Sequence, residues 1–220
     1  MSDFFESLQQ TEHGETLANN IRFGRFKPDF LPNEVWVELL GDDVDNLKHM
    51  EYTAELTNWY IRQAWKLEEP FSLEDEHLLM TTAWVHDFAE AIDGDIPDPF
   101  KVDDEDTKAT ERRSFLTVAS TVTDDPEGLA DYVLPVMQGT HRLSRHFRAI
   151  EIIGYMETGR RALRASHGMG ELQHTYGYTY EELHLIHQSL VSLGTEVIES
   201  DTKRLAELFP DFPVVMEYLR

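Results

Sequence analysis

Apolar residues recur at helical intervals along most of this 220-residue chain, and this periodicity constrains its fold more than any other feature. Between residues 43 and 66, for example, Leu47, Met50, Ala54 and Ile61 follow one another at spacings of three, four and seven. Residues with these spacings share one face of an α-helix. No segment sustains the alternation of apolar and polar residues that a half-buried strand requires. The sequence therefore predicts an all-α protein.

Capping and helix-breaking residues predict where the helices begin and end. Ser72 with Asp75, and Thr179 with Glu182, have the pattern of an N-cap residue followed three positions later by an acid. Gly94 is of a residue type that commonly ends a helix. The predicted helices cover residues 43–66, 73–92, 106–122, 126–137, 141–165, 179–200 and 201–208, and the tail 213–220 is expected to pack against the body.

The first 40 residues interrupt this helical pattern. Pro28 and Pro32 lie close together, just after Gly24, and two prolines so near each other argue against a long helix. We expect residues 1–40 to form an irregular segment. This segment should pack on a single helical domain that comprises residues 41–220.

The composition excludes several kinds of function. The chain has no cysteine, which rules out disulfides, thiolate metal sites and cysteine nucleophiles. Its formal net charge is -23, which makes long nucleic acids and anionic membranes unfavourable partners. A small anionic substrate remains compatible, because a bound metal ion can make one site locally positive. The acidic N-terminus is unlike a signal peptide, and no apolar run is long enough to span a membrane, so a cytoplasmic location is expected.

The segment from Ala83 to Pro97 concentrates the ionisable residues that point to chemistry. His86 and Asp87 are adjacent, and Glu90 follows one helical turn later on the same predicted face. That face also carries apolar residues, so the three ionisable groups are expected to be buried, and burying them unpaired is costly. A divalent cation would satisfy all three groups at once. A structural pair between His86 and Glu90 is the alternative.

His49 offers a further metal ligand on the preceding predicted helix. Two antiparallel helices joined by a short connection place the start of one opposite the end of the next. His49 lies near the start of its helix and His86 near the end of the following one, so the two imidazoles can meet. We therefore expect a metal site that includes His49, His86 and Asp87.

These residues resemble the HD superfamily of metal-dependent phosphohydrolases, in which a histidine precedes a His-Asp pair and a late helical acid on an all-α scaffold. An extended motif is similar to the bacterial 5′-deoxynucleotidase branch: His86-Asp87-x-x-Glu90-x-x-x-Gly94-Asp95-Ile96-Pro97, followed by Lys101. The resemblance covers roughly residues 45–165. It implies a phosphoric monoester hydrolase that converts a deoxynucleoside monophosphate into deoxynucleoside and phosphate. It also suggests a homodimer.

The resemblance implies one divalent metal ion, with Mn or Co favoured over Zn or Fe. A fourth ligand is expected from a later helix, where the family has an Asp and this chain has Glu151. Glu is one methylene longer than Asp and still offers an oxygen. The alternative is that Glu151 pairs with Arg148 or Arg164. A second metal would need further histidines, and only His141 and His146 are candidates.

The resemblance also implies roles around the metal. Glu90 would orient or deprotonate the attacking water and then help to protonate the leaving oxygen. The family has an Arg-Trp pair upstream of its first histidine; here Trp36 is preceded by Val35, so Arg22 or Arg25 is expected to supply the missing charge. Asp95 is expected to contact the sugar, and Lys101 and either Arg142 or Arg145 are expected to contact the phosphate. As alternatives, the two arginines could form ordinary surface ion pairs, and Asp95 could belong to a turn that ends the helix.

Alternatives from the same and from other classes remain open at this point. The chain is also compatible with a deoxynucleoside triphosphate triphosphohydrolase, or with an HD hydrolase of another phosphate compound, such as a cyclic nucleotide or an alarmone. The non-enzymatic alternatives are a regulatory metal-binding helical protein and a partner-binding helical protein. Glu90 argues against a purely structural metal, which would not need that residue.

Overall fold

The computed structural model describes residues 2–41, 44–94 and 105–219. Within these ranges the protein is all-α, as predicted, and its extended pairing is limited to one isolated bridge between Ile21 and Asp45. In chain order the helices are α1 (Ser2–Gln9), α2 (Glu12–Asn19), a short 3-10 helix (Gly24–Phe26), α3 (Asn33–Leu40), α4 (Asn46–Lys66), α5 (Leu73–Val85), α6 (Glu90–Asp93), α7 (Glu105–Ala119), α8 (Pro126–Met137), α9 (Ser144–Ser166), α10 (Met169–Tyr176), α11 (Tyr180–Leu208) and α12 (Pro213–Tyr218).

The chain divides into two compact units. Unit 1 consists of Met1–Arg22 and Asp45–Ile150, and unit 2 of Phe23–Val44 and Glu151–Arg220. The first 40 residues therefore contribute to both units.

In unit 1, α4 and α5 form a pair that packs along its length. Both helices begin at capped ends: the Asp45 side chain accepts from the Lys48 N–H at 2.8 Å, and Ser72 Oγ accepts from the Asp75 N–H at 3.2 Å. Apolar residues from both helices join α8 and α9 in one buried cluster: Ala54, Leu78, Leu79, Ala83, Val136, Leu143 and Phe147. Burial of this apolar surface holds the helix pair together.

The prediction of one helix from residue 73 to residue 92 was wrong. α5 ends at Val85, and α6 begins only at Glu90. Between them the backbone hydrogen bonds span three residues instead of the four of an α-helix. The Phe88 N–H donates to the Val85 carbonyl at 3.1 Å, and the Glu90 N–H donates to the Asp87 carbonyl at 2.9 Å. Helix ends commonly tighten in this way.

The expectation that residues 1–40 are irregular was also wrong, because three helices form there. Pro32 is the N-cap of α3, so it delimits a helix instead of preventing one. Thr11 caps α2 by accepting from the Gly14 N–H at 3.1 Å. Gly14 also permits close contact with the end of α1, since a Cβ atom at this position would lie 2.1 Å from the Leu8 carbonyl oxygen.

In unit 2, α11 is one continuous helix, without the predicted break at residue 200. Its N-terminus has the predicted capping box, with both reciprocal bonds between Thr179 and Glu182. It crosses α9 closely, since a Cβ atom at Gly194 would lie 2.8 Å from the Gly159 carbonyl oxygen. Although α11 has 29 residues, none of the helices in the described ranges combines the length and apolar character that crossing a membrane requires.

We predict that Gly14→Ala destabilises the protein by about 1–3 kcal/mol, because the added methyl group would overlap backbone atoms that cannot rotate away. Chemical denaturation would measure the loss. Gly170→Ala is the matched control, since a Cβ atom there meets nothing within 4 Å. Equal stability of the two variants would contradict the close contact between α1 and α2.

Candidate metal centre

Three buried side chains of unit 1 converge at the paired ends of α4 and α5. His49 lies in the first turn of α4, His86 is the C-cap of α5, and Asp87 follows it. One ligand atom from each residue lies within 4.8 Å of the other two. The two imidazole rings have centroids 5.2 Å apart. The predicted meeting of His49 with the His86-Asp87 pair is confirmed.

The start of α4 is held in place by the chain that precedes it. The Asn46 N–H donates to the Asn20 carbonyl at 3.1 Å, and Ile21 forms the isolated bridge with Asp45. The His49 N–H donates to the Asp45 carbonyl at 2.9 Å as the first turn closes. The backbone that carries His49 is therefore fixed on both sides.

The His86 ring is oriented by a backbone contact. Its Nδ1 lies 2.9 Å from the Ala83 carbonyl oxygen, which can only accept, so Nδ1 carries the proton. Neutral His86 therefore presents the lone pair of Nε2, which is the arrangement that metal-binding histidines need. The Phe147 ring packs on the imidazole with centroids 5.5 Å apart. His49 Nε2 lies 3.3 Å from the Thr53 hydroxyl.

The polar atoms of this group fit a metal ion. His86 Nε2 and Asp87 Oδ2 are buried without a hydrogen bond among the described residues, and His86 Nε2 lies 3.3 Å from Asp87 Oδ1. A buried polar atom without a partner costs about 1–3 kcal/mol. A divalent cation would satisfy both atoms. Two imidazoles and a carboxylate suit Mn, Fe, Co or Zn. The group formed by His49, His86 and Asp87 can therefore hold a metal ion.

Glu90 lies beside this group and not within it. Its carboxylate oxygen Oε2 accepts a hydrogen bond from Asn46 Nδ2 at 2.5 Å. Asn46 precedes His49 by one turn, so the bond ties α6 to the start of the helix that supplies the first ligand. The tightened turn at residues 86–89 replaces the continuous helical face that had been expected for Glu90.

The structure leaves several predicted site residues untested. Glu151 is half-buried on α9 and belongs to unit 2, and its role as a ligand stays a prediction. Arg145 is exposed near the start of α9, and its phosphate contact also stays a prediction. Asp95 and Lys101 lie outside the described residues.

For two residues predicted as substrate contacts, the structure favours a structural role. Arg142 forms an ion pair with buried Asp75 at the start of α5. Asp75 precedes His86 by eleven residues of α5, or roughly 16 Å along the helix axis. Arg142 therefore serves a surface pair and not the metal group. Trp36 is 0% exposed within α3 of unit 2, which makes it a core residue without accessible surface for a substrate.

The histidines considered for a second metal have other contacts. His141 Nδ1 accepts from the Leu143 N–H at 3.2 Å. His146 Nδ1 lies 3.1 Å from the Tyr60 hydroxyl, and its ring packs on Phe71 with centroids 4.9 Å apart. Neither histidine joins the group formed by His49, His86 and Asp87.

Sequence reasoning missed the residues that support the site. Asn46 gave no signal of its own, because its contact with Glu90 spans 44 residues. Thr53 follows His49 at i+4, a helical spacing that indicates contact. α2 also has a polar face with i, i+3, i+4, i+7 spacing, formed by Glu12, Glu15, Thr16 and Asn19. This face was not predicted, because residues 1–40 were expected to be irregular.

No protein-family model, no curated protein and no solved structure matches this chain. The chemistry proposed for it therefore depends on its own residues and on their geometry.

We predict that His49→Ala and His86→Ala each abolish high-affinity binding of one divalent ion. Loss of a ligand should weaken metal affinity by more than the roughly 10- to 100-fold that results from loss of a hydrogen bond supporting a ligand. Titration with Co²⁺, followed by visible absorption and calorimetry, would measure this. Replacement of the exposed His184 by Ala is the control and should leave affinity unchanged. Equal Co²⁺ affinity in the wild type, the two ligand variants and the control would rule out this centre.

We also predict that His146 makes the fold sensitive to acid. Burial, and next the charges of Arg145 and Arg142, lower the pKa of His146 to about 4, although Asp75 opposes this. In the unfolded chain a histidine has a pKa of about 6.5 and binds the proton more readily. The stability that neutral His146 contributes is therefore complete above about pH 6.5 and is lost as the pH falls towards 4.

The measurement is the free energy of unfolding at pH 7 and pH 5 for the wild type and His146→Gln. The variant should lose less stability between the two pH values. His184→Gln, which removes an exposed histidine, is the control. A pH dependence in His146→Gln as steep as in the wild type would refute the assignment.

Proposed function

We propose that this protein is a metal-dependent phosphohydrolase of the HD superfamily that cleaves a nucleotide phosphoester, with a 5′-deoxynucleotidase activity favoured. The observation that supports the proposal most strongly is the buried convergence of His49 with His86 and Asp87. The pattern of HD-type ligands in the sequence thus coincides with a group able to hold an ion.

The proposed metal ligands are His49, His86 and Asp87. When bound, a divalent ion such as Mn or Co would supply positive charge to the phosphoryl oxygens and acidity to a water molecule. The ring of His86, fixed by the Ala83 carbonyl, presents Nε2 without rearrangement. Preorganised ligands reduce the cost of assembling the site when substrate arrives.

Glu90 is the proposed general base and acid. Its carboxylate can take a proton from the attacking water and return it to the leaving oxygen. Asn46 donates to Oε2 and so holds the carboxylate in one orientation. A role for Glu90 in proton transfer, separate from metal binding, agrees with its position beside the ligand group.

Arg22 is the proposed cation for the phosphate. It is only 8% exposed, and it follows Ile21, whose bridge with Asp45 fixes the start of α4. Arg25, the other candidate, forms an exposed ion pair with Glu196 in unit 2. A buried guanidinium can bind a phosphate through two parallel hydrogen bonds. Lys101 remains proposed as a second phosphate contact.

The activity is tested with metal-stripped protein, reloaded with Mn²⁺, Co²⁺ or Zn²⁺ and given deoxy- and ribonucleoside mono- and triphosphates. Chromatography identifies the products. We expect phosphate and deoxynucleoside from the monophosphates. Glu90→Gln should lower kcat by about 10²- to 10⁴-fold while retaining the metal, since it loses only proton transfer. His86→Ala should lose both metal and activity.

Glu74→Gln, at an exposed position in the first turn of α5, is the matched control and should behave as the wild type. Release of triphosphate would assign the protein to the triphosphohydrolase branch instead. Metal binding without turnover of any nucleotide would refute the nucleotide proposal and favour a regulatory metal-binding protein.

A further inference from the structure

Three buried side-chain acceptor atoms of unit 1 lack a hydrogen bond among the described residues. They are Asn46 Oδ1, His86 Nε2 and Asp87 Oδ2. His86 and Asp87 belong to the candidate metal centre, and Asn46 lies one helical turn before its remaining member, His49. A buried acceptor without a donor is unfavourable. The centre as described so far accounts for two of these three atoms and leaves Asn46 Oδ1 unexplained.

The direction of Asn46 Oδ1 is fixed by Glu90. An ionised carboxylate can only accept hydrogen bonds, so the amide nitrogen of Asn46 is the atom that faces Glu90 Oε2 at 2.5 Å. Oδ1 must therefore face away from Glu90. The Asn46 backbone is held too, because its N–H donates to the Asn20 carbonyl at 3.1 Å. Asn46 is 0% exposed, so bulk solvent does not satisfy its Oδ1.

Asn46 adjoins the metal-binding group along two routes. Along α4 it stands at i, i+3 to His49, a spacing that places two Cβ atoms about 5–6 Å apart on one helix face. Across the fold it contacts Glu90, whose N–H donates to the Asp87 carbonyl at 2.9 Å. Asn46 therefore lies between the helix that carries one ligand and the turn that carries another. It also belongs to unit 1 with all three ligands, whereas Glu151 belongs to unit 2.

We infer that Asn46 Oδ1 is a fourth protein ligand of the divalent ion that His49, His86 and Asp87 would hold. The inference rests on the metal centre of the proposed function but not on its nucleotide substrate. Amide oxygens of Asn are established ligands of divalent cations. The donor set would be two imidazole nitrogens, one carboxylate oxygen and one amide oxygen. Carboxylate and carbonyl oxygens suit Mn²⁺, and imidazole suits Fe²⁺ and the later metals.

A neutral fourth ligand has an electrostatic consequence. In this donor set Asp87 is the one anionic ligand, so a divalent ion and its four ligands would retain one positive charge. The chain as a whole carries a net charge of -23. Since a bound cation is often the largest local charge in a site, this charge would make the centre attractive to an anion that the rest of the surface repels.

The test is a Co²⁺ titration of metal-stripped protein, followed by calorimetry and visible absorption. Asn46→Ala should weaken Co²⁺ affinity by at least about tenfold and alter the absorption bands, because an oxygen donor is lost. Asn46→Asp keeps an oxygen in this place and should bind Co²⁺ at least as tightly as the wild type. Asn58→Ala, which replaces an exposed asparagine of the same helix, is the matched control and should leave affinity and spectrum unchanged.

The Ala and Asp variants separate a ligand from a mere support of Glu90. Neither variant can donate to Glu90, so a residue that acted only through this bond would give the same Co²⁺ affinity in both. Equal affinities in the two variants, or wild-type affinity in Asn46→Ala, would overturn the inference. Thermal unfolding with and without Co²⁺ shows whether each variant folds and binds, since a bound ion raises Tm according to its affinity. If Asn46→Ala does not fold, Asn46→Leu, which fills the same space without polar atoms, replaces it.

Failure of the inference and failure of the proposed function give different results. Loss of Co²⁺ affinity in Asn46→Ala and its retention in Asn46→Asp, in a protein that hydrolyses no nucleotide, would refute the proposed function and support Asn46 as a ligand. Nucleotide hydrolysis by the wild type, with unchanged Co²⁺ affinity in Asn46→Ala, would overturn the inference and leave the proposed function standing. A wild type that binds no divalent ion would overturn both.

Discussion

The antiparallel pairing of α4 with α5 is the constraint on which the candidate site depends. It brings the first turn of α4, which carries His49, beside the end of α5, where His86 and Asp87 lie. Apolar packing between the helices buries the three polar groups with them. Burial of polar atoms without partners is unfavourable. The stability of the apolar cluster therefore maintains an arrangement that a divalent ion would satisfy.

The end of α5 separates Glu90 from the group formed by His49, His86 and Asp87. Because the helix stops at Val85 and tightens, Glu90 meets Asn46 at the start of α4 and lies outside the ligand group. A carboxylate that bound the metal would have its lone pairs occupied and would serve less well in proton transfer. In the proposed mechanism, this turn would let His86 and Asp87 act as ligands while Glu90 stays available as a base.

Charge limits what such a site can accept. The chain carries a net charge of -23, so anions are repelled except where a cation acts locally. In the proposed reaction Arg22 and the metal ion would attract the phosphate.

The sequence by itself determined the all-α class, the capped starts of α5 and α11, and the convergence of His49, His86 and Asp87. These features follow from helical periodicity and capping, which are local, and from the geometry of two helices joined by a short connection. Tertiary structure alone decided the end of α5, the bond between Asn46 and Glu90, the burial of Trp36 and the pairing of Arg142 with Asp75. The last three depend on contacts between residues far apart in the chain, whereas the end of α5 has no Gly or Pro between residues 85 and 90 to mark it.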